Sequence, residues 1–197
     1  IGEYQRTAKE RLVDLVRGVL ANDNLPRLRL SSVEPNTITD ELLELLAASK
    51  NFMPHLHLPL QSGDDQILRE MKRKYDCNEY IEIVRRACEA IPGLAIGADV
   101  MVGFPGESEE QFLATCSLVG KLPITHLHIF PFSRRKGTVA NSMDNQIPDH
   151  VKKERVAHLA KLATLKLSKL LERQLGSEVE VLFERRDRDG FFTGYTP

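Results

Sequence analysis

The chain has 197 residues, of which 42% are apolar, and this is enough to bury one sizeable core with a small appendage. A formal net charge of −1 argues against nucleic-acid binding by a uniformly basic surface, so only local basic patches could contact phosphates. No run of about 18 apolar residues predicts a membrane span. Three widely spaced cysteines predict free thiols in a reducing compartment, which we take to be the cytoplasm.

Helix-like and strand-like segments alternate along the first two thirds of the chain. Helices are predicted at residues 7–20, 39–49 and 78–90, the last one capped by Asn78, and a further helix begins after Ser108. Strands are predicted at residues 27–33, 55–60, 95–102 and 125–132. Such alternation is typical of parallel strands joined by crossover helices, in either a barrel or a doubly wound sheet.

Every predicted strand has one aliphatic face and one polar or aromatic face. In the second strand, for example, Leu56, Leu58 and Leu60 alternate with His55 and His57. A sheet covered by helices on both sides would be apolar on both faces. The α/β pattern with one polar face therefore favours a barrel whose interior holds a ligand.

The loop that follows the third strand is the most informative segment. Gly103, Phe104, Pro105 and Gly106 separate this strand from a helix that opens with a capping box of Ser108 and Gln111. Glycines at such a junction let a ligand approach bare backbone amides. Polar residues also follow the other strands, and in a barrel these strand ends converge on one site.

After residue 143 the pattern changes. Residues 148–175 are predicted to form one long amphipathic helix, which carries seven Lys or Arg and two Glu between residues 151 and 175. From Glu178 onward, apolar alternation followed by Asp189-Gly190 and an aromatic run predicts a β-hairpin. We expect this hairpin to open a small β-domain.

Five segments, in order, resemble the radical S-adenosylmethionine methylthiotransferases. They are residues 31–35 (SSVEP), 52–63 (FMPHLHLPLQSG), 71–75 (MKRKY), 99–107 (DVMVGFPGE) and 133–138 (SRRKGT). The SSVEP and FMPH forms are most similar to the branch that acts on N6-threonylcarbamoyladenosine beside the tRNA anticodon. The resemblance implies the addition of a methylthio group at carbon 2 of that adenine.

The resemblance also implies the domain organisation. Residues 1–143 would be the later strands of a partial (β/α)6 radical SAM barrel, residues 144–175 a basic helical linker, and residues 176–197 the start of a truncated TRAM-type RNA-binding β-domain. The implied cofactors are S-adenosylmethionine and two 4Fe-4S clusters. The implied partners are the tRNA anticodon stem-loop and an electron-donor protein.

Site residues are expected at the strand ends. Gly103, Phe104, Pro105 and Gly106 would present backbone to the adenine and ribose of S-adenosylmethionine. The other expected cofactor contacts are Ser32, Glu34, Gln61, Ser62 and Asp99, and the expected substrate contacts are Arg73 and Arg135, whose guanidinium groups suit a carboxylate or a phosphate.

One departure from the family pattern limits what this chain can do alone. The family binds a cluster through a CxxxCxxC loop and a second one through an N-terminal domain, and neither set of cysteines occurs in the sequence. Cys88 and Cys116 are expected to be small core residues and Cys77 a surface thiol. No metal ligand is therefore assigned, and the chain, which begins without methionine as a piece of a longer protein would, is predicted to be inactive alone.

Two alternatives remain from the sequence. His55, His57, His126 and His128 form two H-x-H pairs on the polar strand faces, a pattern that metal-dependent barrel hydrolases use to hold zinc. The second alternative is a non-catalytic RNA-binding module, which would use the basic residues 134–136 and the basic helix.

Overall fold

The computed structural model describes residues 11–196. Its centre is a four-stranded parallel sheet in which the strands lie side by side in chain order. The strands are β1 (Leu28–Leu30), β2 (Phe52–His57), β3 (Ala95–Val102) and β4 (Ile124–Pro131). The α/β class and the partial, barrel-like parallel sheet predicted from the sequence are confirmed.

Helices connect the strands and then extend beyond the sheet. Those before β4 are α1 (Leu12–Leu20), α2 (Asp40–Ala47), α3 (Asp65–Glu70), α4 (Cys77–Ala90) and α5 (Glu109–Lys121). Those after β4 are the short α6 (Val139–Ser142) and the long α7 (Asp149–Gln174). The sequence did not predict α3, and residues 7–10 of the first predicted helix lie outside the described residues.

The sequence predicts the N-terminal caps of two helices, α4 and α5. The Ser108 hydroxyl accepts from the Gln111 amide and the Gln111 side chain accepts from the Ser108 amide, so the predicted capping box of α5 is confirmed. The cap predicted for α4 is wrong. Asp76 and Glu79 form the reciprocal pair there, and Asn78 lies within the first turn. Asp76, two residues before Asn78, is the N-cap because Glu79, three residues after Asp76, completes the capping box.

The hydrophobic core lies between the aliphatic face of the sheet and the helices. The strand residues that point to it are 0–1% exposed: Leu56, Leu58, Leu60, Ile96, Ala98, Val100 and Val102. On the other face, His126, His128 and Phe130 of β4 are exposed. The two-faced pattern of the strands is therefore confirmed, and it leaves a polar sheet face on which a site can form.

The end of β2 departs from regular strand geometry. Its main chain stays paired with β3, since the Leu58 amide donates to the Gly97 carbonyl and the Leu60 amide to the Asp99 carbonyl. The Tyr80 hydroxyl donates to the Leu58 carbonyl at 2.8 Å, and both residues are fully buried. This bond satisfies a buried carbonyl that would otherwise lack a partner, and it holds the segment that carries Gln61.

The long helix α7 packs one side against the rest of the chain as far as Lys166, whose Nζ donates to the Leu122 carbonyl at 2.6 Å. Leu159 is fully buried, whereas Leu165 and Leu171 are 61% and 56% exposed. Beyond it, β5 (Leu182–Arg186) and β6 (Phe192–Tyr195) form the antiparallel hairpin that the sequence predicts. Arg27 joins this hairpin to the sheet by donating to the Tyr195 carbonyl at 3.0 Å. Whether the hairpin belongs to a TRAM-type domain stays a prediction.

Among residues 11–196, none of the helices combines the length and apolar character needed to cross a membrane.

Candidate functional site

The carboxyl ends of β2 and β3 meet at one edge of the sheet. The Gln61 amide donates to the Asp99 carbonyl at 2.8 Å, and the Met101 amide donates to the Gln61 carbonyl at 2.9 Å. Gly103 lies two residues after Met101, directly beyond the end of β3. Gln61, Asp99 and Gly103 are thus neighbours at the edge where α/β barrels place their chemistry.

Two non-glycine residues at this edge adopt left-handed backbone conformations. Ser32, just after β1, has φ 51°, and Gln61, beyond β2, has φ 65°. Such a conformation costs a residue with a Cβ about 1–2 kcal/mol, and strain of this kind concentrates at functional sites. The Gln61 side chain has no hydrogen-bond partner in residues 11–196, so its amide is available to a ligand.

A polar network crosses three strands on the open face. Asp99 Oδ1 lies 3.0 Å from His57 Nε2 and 3.4 Å from His128 Nδ1. His57 Nδ1 lies 3.2 Å from the Ser32 hydroxyl. With its proton on Nε2, His57 donates to Asp99 and accepts from Ser32, so the ring is fixed at both nitrogens.

The other two inward histidines form a separate layer nearer the start of the strands. The rings of His55 and His126 meet edge to face at 6.3 Å between centroids. Burial, assisted by Arg29 and the neighbouring histidines, lowers the pKa of His55 to about 4. The pKa of His126 is also lowered, chiefly because its ring is partly desolvated although the residue is exposed overall. The two H-x-H pairs therefore split into a lower layer whose pKa values are lowered and an upper layer joined to Asp99.

The glycine-containing loop does not leave all of its amides free. The Gly103 amide donates to the Glu107 carboxylate at 2.6 Å, and the Gly106 amide donates to the Asn145 carbonyl at 2.9 Å. Phe104 and Pro105 are buried. The expectation that this loop presents free amides therefore does not hold for Gly103 and Gly106, because residues of the chain already accept from both.

Glu107 was missed by the sequence analysis. Its side chain is 1% exposed and accepts from Arg155 Nη1 of α7 at 2.5 Å, and Arg155 is 6% exposed. Burial raises the pKa of Glu107, whereas the Gly103 amide and Arg155 oppose this shift. The pair ties the loop after β3 to the long helix.

Three other predicted contacts are engaged within the chain. Ser62 is fully buried with its hydroxyl 3.4 Å from the Thr115 hydroxyl of α5, which corrects the expectation of a side chain facing the ligand. Glu34 and Arg73, predicted as separate ligand contacts, pair with each other at 2.9 Å. Arg135 is exposed, and its side chain has no partner in the described part of the chain.

The cysteines do not form a cluster site. Cys77 and Cys88 lie on α4 and Cys116 lies on α5, and all three are partly buried against the core. Burial raises the pKa of each thiol, that of Cys116 to about 11. The prediction that Cys77 is a surface thiol is wrong, since it packs against the core. Protonated thiols in separate places do not suit a 4Fe-4S cluster, which requires gathered thiolates.

Comparisons with known proteins agree on one family. The profile of the Radical SAM superfamily matches residues 4–119. The chain is 39% identical over 179 residues to the threonylcarbamoyladenosine tRNA methylthiotransferase MtaB of Bacillus subtilis, covering 88% of this chain and 40% of that protein. It is 43% identical over 168 residues to a tRNA-2-methylthio-N(6)-dimethylallyladenosine synthase of Thermobifida fusca, covering 85% of this chain and 34% of that protein.

Solved structures share the fold at low identity. Coproporphyrinogen III oxidase (HemN) of Escherichia coli, described as a radical SAM enzyme, superposes with a TM-score of 0.58 at 20% identity, over 68% of this chain and 31% of that one. The Elp3 protein of Methanocaldococcus infernus gives 0.54 at 20% identity, over 66% and 31%. The chain therefore spans 31–40% of the length of these relatives and structures.

Proposed function

This chain belongs to the radical SAM superfamily, and we propose that it is part of a tRNA methylthiotransferase that modifies carbon 2 of N6-threonylcarbamoyladenosine next to the anticodon. The superfamily match favours this proposal over the metal-dependent hydrolase suggested by the H-x-H pairs. Because the chain spans only 34–40% of the two relatives described above, the activity is proposed for the protein of which this chain forms part.

The relatives support the reaction more strongly than the substrate. Their names share methylthio transfer to a tRNA adenosine but differ in the group on N6, which is threonylcarbamoyl in one and dimethylallyl in the other. Identities of 39% and 43% do not separate the two. The SSVEP and FMPH forms at residues 31–35 and 52–55 favour threonylcarbamoyl, and the substrate assignment depends on them.

The strand ends are suited to hold S-adenosylmethionine. Gln61 offers an amide that has no hydrogen-bond partner among residues 11–196, and Ser32 and Asp99 line the same face of the sheet. The 4Fe-4S cluster supplies the electron that cleaves S-adenosylmethionine in this superfamily, and the cysteines of this chain do not fit it. The residues here would bind and orient the nucleoside, whereas the cluster ligands would have to come from elsewhere in the protein.

Basic groups near this edge would contact the tRNA. Arg135 is exposed on the loop after β4, and α7 carries all seven Lys and Arg of residues 151–175, of which Arg155 is buried against Glu107. Such groups neutralise phosphates without reading sequence, so they would position the anticodon stem-loop over the strand ends.

Nucleoside analysis tests the substrate assignment. Deleting the gene that encodes this chain should abolish 2-methylthio-N6-threonylcarbamoyladenosine in digested tRNA, with accumulation of the form that lacks the methylthio group, as measured by mass spectrometry. The methylthio derivative of isopentenyladenosine should be unchanged in the same digest. Loss of the isopentenyl derivative alone would move the chain to the other branch. Loss of neither would favour the non-catalytic RNA-binding alternative.

Replacing Gln61 by glycine should separate ligand binding from stability. In the whole protein, Gln61→Gly is expected to weaken S-adenosylmethionine binding about tenfold, since one hydrogen-bonding amide is lost. The same change should stabilise the fold by about 1 kcal/mol, because glycine adopts φ 65° without strain. Calorimetric titration and chemical unfolding measure the two effects.

The control for this variant is Gln66→Gly, an exposed glutamine on α3 whose side chain pairs with Glu70. It should leave S-adenosylmethionine affinity unchanged and lower stability slightly, as glycine does in a helix. Unchanged affinity in Gln61→Gly would remove this residue from the binding site.

A further inference from the structure

We propose that His57, Asp99 and His128 form a binding site for one divalent transition-metal ion on the polar face of the sheet. The site differs in ligand type from a 4Fe-4S site, because it contains no thiol. It also goes beyond the proposed function, which does not require a metal ion, and it shares Ser32 and Asp99 with the face proposed to hold S-adenosylmethionine. It differs from the hydrolase pattern suggested by the sequence, since it takes one histidine from each H-x-H pair and adds the carboxylate between them.

The distances fit a metal ion as well as a hydrogen-bond network. The three candidate ligand atoms, His57 Nε2, Asp99 Oδ1 and His128 Nδ1, lie within 4.8 Å of one another. The carboxylate oxygen is 3.0 Å from the first nitrogen and 3.4 Å from the second. Ligand atoms about 2.0–2.1 Å from a tetrahedral Zn²⁺ are about 3.3 Å from one another. The distances from the Asp99 oxygen to the two histidine nitrogens are therefore already close to those of a zinc site.

The fold places the three ligands without help from loops. His57 ends β2, Asp99 lies in β3 and His128 lies in β4, and the backbones of Asp99 and His128 are paired in register. Gly97 makes room for the ring of His57, since a Cβ at this position would lie 3.2 Å from His57 Cδ2. Ligands carried on neighbouring strands of one sheet are held more precisely than ligands on loops.

A hydrogen-bond partner for the non-ligating nitrogen of His57 is also present. The Ser32 hydroxyl contacts His57 Nδ1 at 3.2 Å, the nitrogen that would not bind the metal. In protein metal sites, the second ring nitrogen of a ligating histidine usually donates to such a partner, which fixes the tautomer and the ring orientation. The left-handed backbone of Ser32, φ 51°, holds the hydroxyl in this position.

The site is open on one side. The side chains of His57 and Asp99 are 13% and 21% exposed, whereas that of His128 is 66% exposed. The His128 side chain can therefore rotate so that its Nδ1 comes closer to His57 Nε2. A metal with three protein ligands and an open position accepts water or an oxygen or nitrogen donor from a small molecule, which is the arrangement of catalytic sites.

Cobalt titration tests the site directly. The untagged 197-residue chain, stripped of metal by chelator, would be titrated with Co²⁺ while the visible absorption is recorded, and Zn²⁺ would then displace the cobalt. We expect one Co²⁺ per chain, visible bands of a four- or five-coordinate ion, and complete displacement by one equivalent of Zn²⁺. Since the cysteines of this chain are scattered, cluster iron does not confuse the measurement.

Three variants and one control identify the ligands. Asp99→Asn and His128→Gln should each weaken Zn²⁺ binding about 100-fold or more. Ser32→Ala should weaken it about 10-fold, because the hydroxyl that orients the His57 ring is lost. The control His126→Gln replaces another inward histidine of β4 and should leave affinity within about twofold. His128→Gln is the decisive variant because its exposed side chain can be replaced without disturbing the core.

Two results would overturn the proposal. One is the absence of stoichiometric Co²⁺ or Zn²⁺ binding at about 0.1 mM metal, which would leave a hydrogen-bond network only. The other is equal weakening by His126→Gln and His128→Gln, which would indicate unspecific binding to surface imidazoles. Neither result bears on the tRNA analysis above, so failure of this site and failure of the proposed function are distinguishable.

Discussion

Replacing Arg155 by methionine is expected to lower the free energy of unfolding by about 3–5 kcal/mol, the usual cost of removing one partner of a buried ion pair. Arg155 reaches from α7 to the Glu107 carboxylate at 2.5 Å, and it also donates to the Glu107 carbonyl at 3.2 Å. Methionine fills much of the same volume but leaves a buried carboxylate whose remaining partner is the Gly103 amide.

Two controls separate the buried charge from other effects of the change. Arg85→Met removes an exposed arginine that pairs with Glu82 and Glu89 on α4, and it should leave stability nearly unchanged. The double variant Glu107→Gln/Arg155→Met should be more stable than Arg155→Met alone, because no charge is left buried. Urea unfolding of the four proteins measures these differences.

The ion pair has a consequence for the site as well. Glu107 accepts from Gly103, so a carboxylate that loses Arg155 becomes protonated or moves, and the loop after β3 moves with it. We therefore expect Arg155→Met to loosen the strand-end pocket although Arg155 lies outside it. If Arg155→Met were as stable as the unchanged chain, the stabilising role assigned to the buried Glu107–Arg155 ion pair would be wrong.

The strand faces and the site edge could be predicted from the sequence because they follow from short-range rules. A period of two assigns Leu56, Leu58 and Leu60 to the core and His55 and His57 to the polar face. Parallel strands bring their carboxyl ends to one edge, which is why Gln61 and Asp99 were expected to be neighbours. The structure places them in direct main-chain contact.

The remaining features depend on contacts between residues far apart in the sequence. Glu107 and Arg155 are separated by 48 positions, and nothing near either residue indicates the partner. The sequence indicates a loop hydroxyl at Ser62, and its contact with Thr115 arises only from the packing of α5. The grouping of His57, Asp99 and His128 could have been found by aligning the inward residues of adjacent strands, although the strand register was not available from the sequence.

Replacing Gly63 by alanine is expected to destabilise the chain by about 3 kcal/mol, at the upper end of the cost of overpacking. A Cβ at this position would lie 2.6 Å from the Thr115 Cα and 3.1 Å from the Ala114 carbonyl oxygen. Both are backbone atoms of α5 and cannot rotate away. The clash would push apart the turn and the helix and weaken the bond from the Gly63 amide to the Thr115 hydroxyl, now 2.8 Å.

The matched control is Gly120→Ala, the same substitution within α5 itself. Apart from its chain neighbours and the backbone of α5, no atom of residues 11–196 lies within 4 Å of a Cβ added there, and the residue is exposed. Alanine should therefore stabilise the helix by about 0.5–1 kcal/mol. Gly63→Ala should therefore lower the free energy of unfolding and Gly120→Ala should raise it. Urea unfolding detects this difference in sign without a value for absolute stability. If Gly63→Ala were neutral, the close approach of the turn to α5 would be wrong.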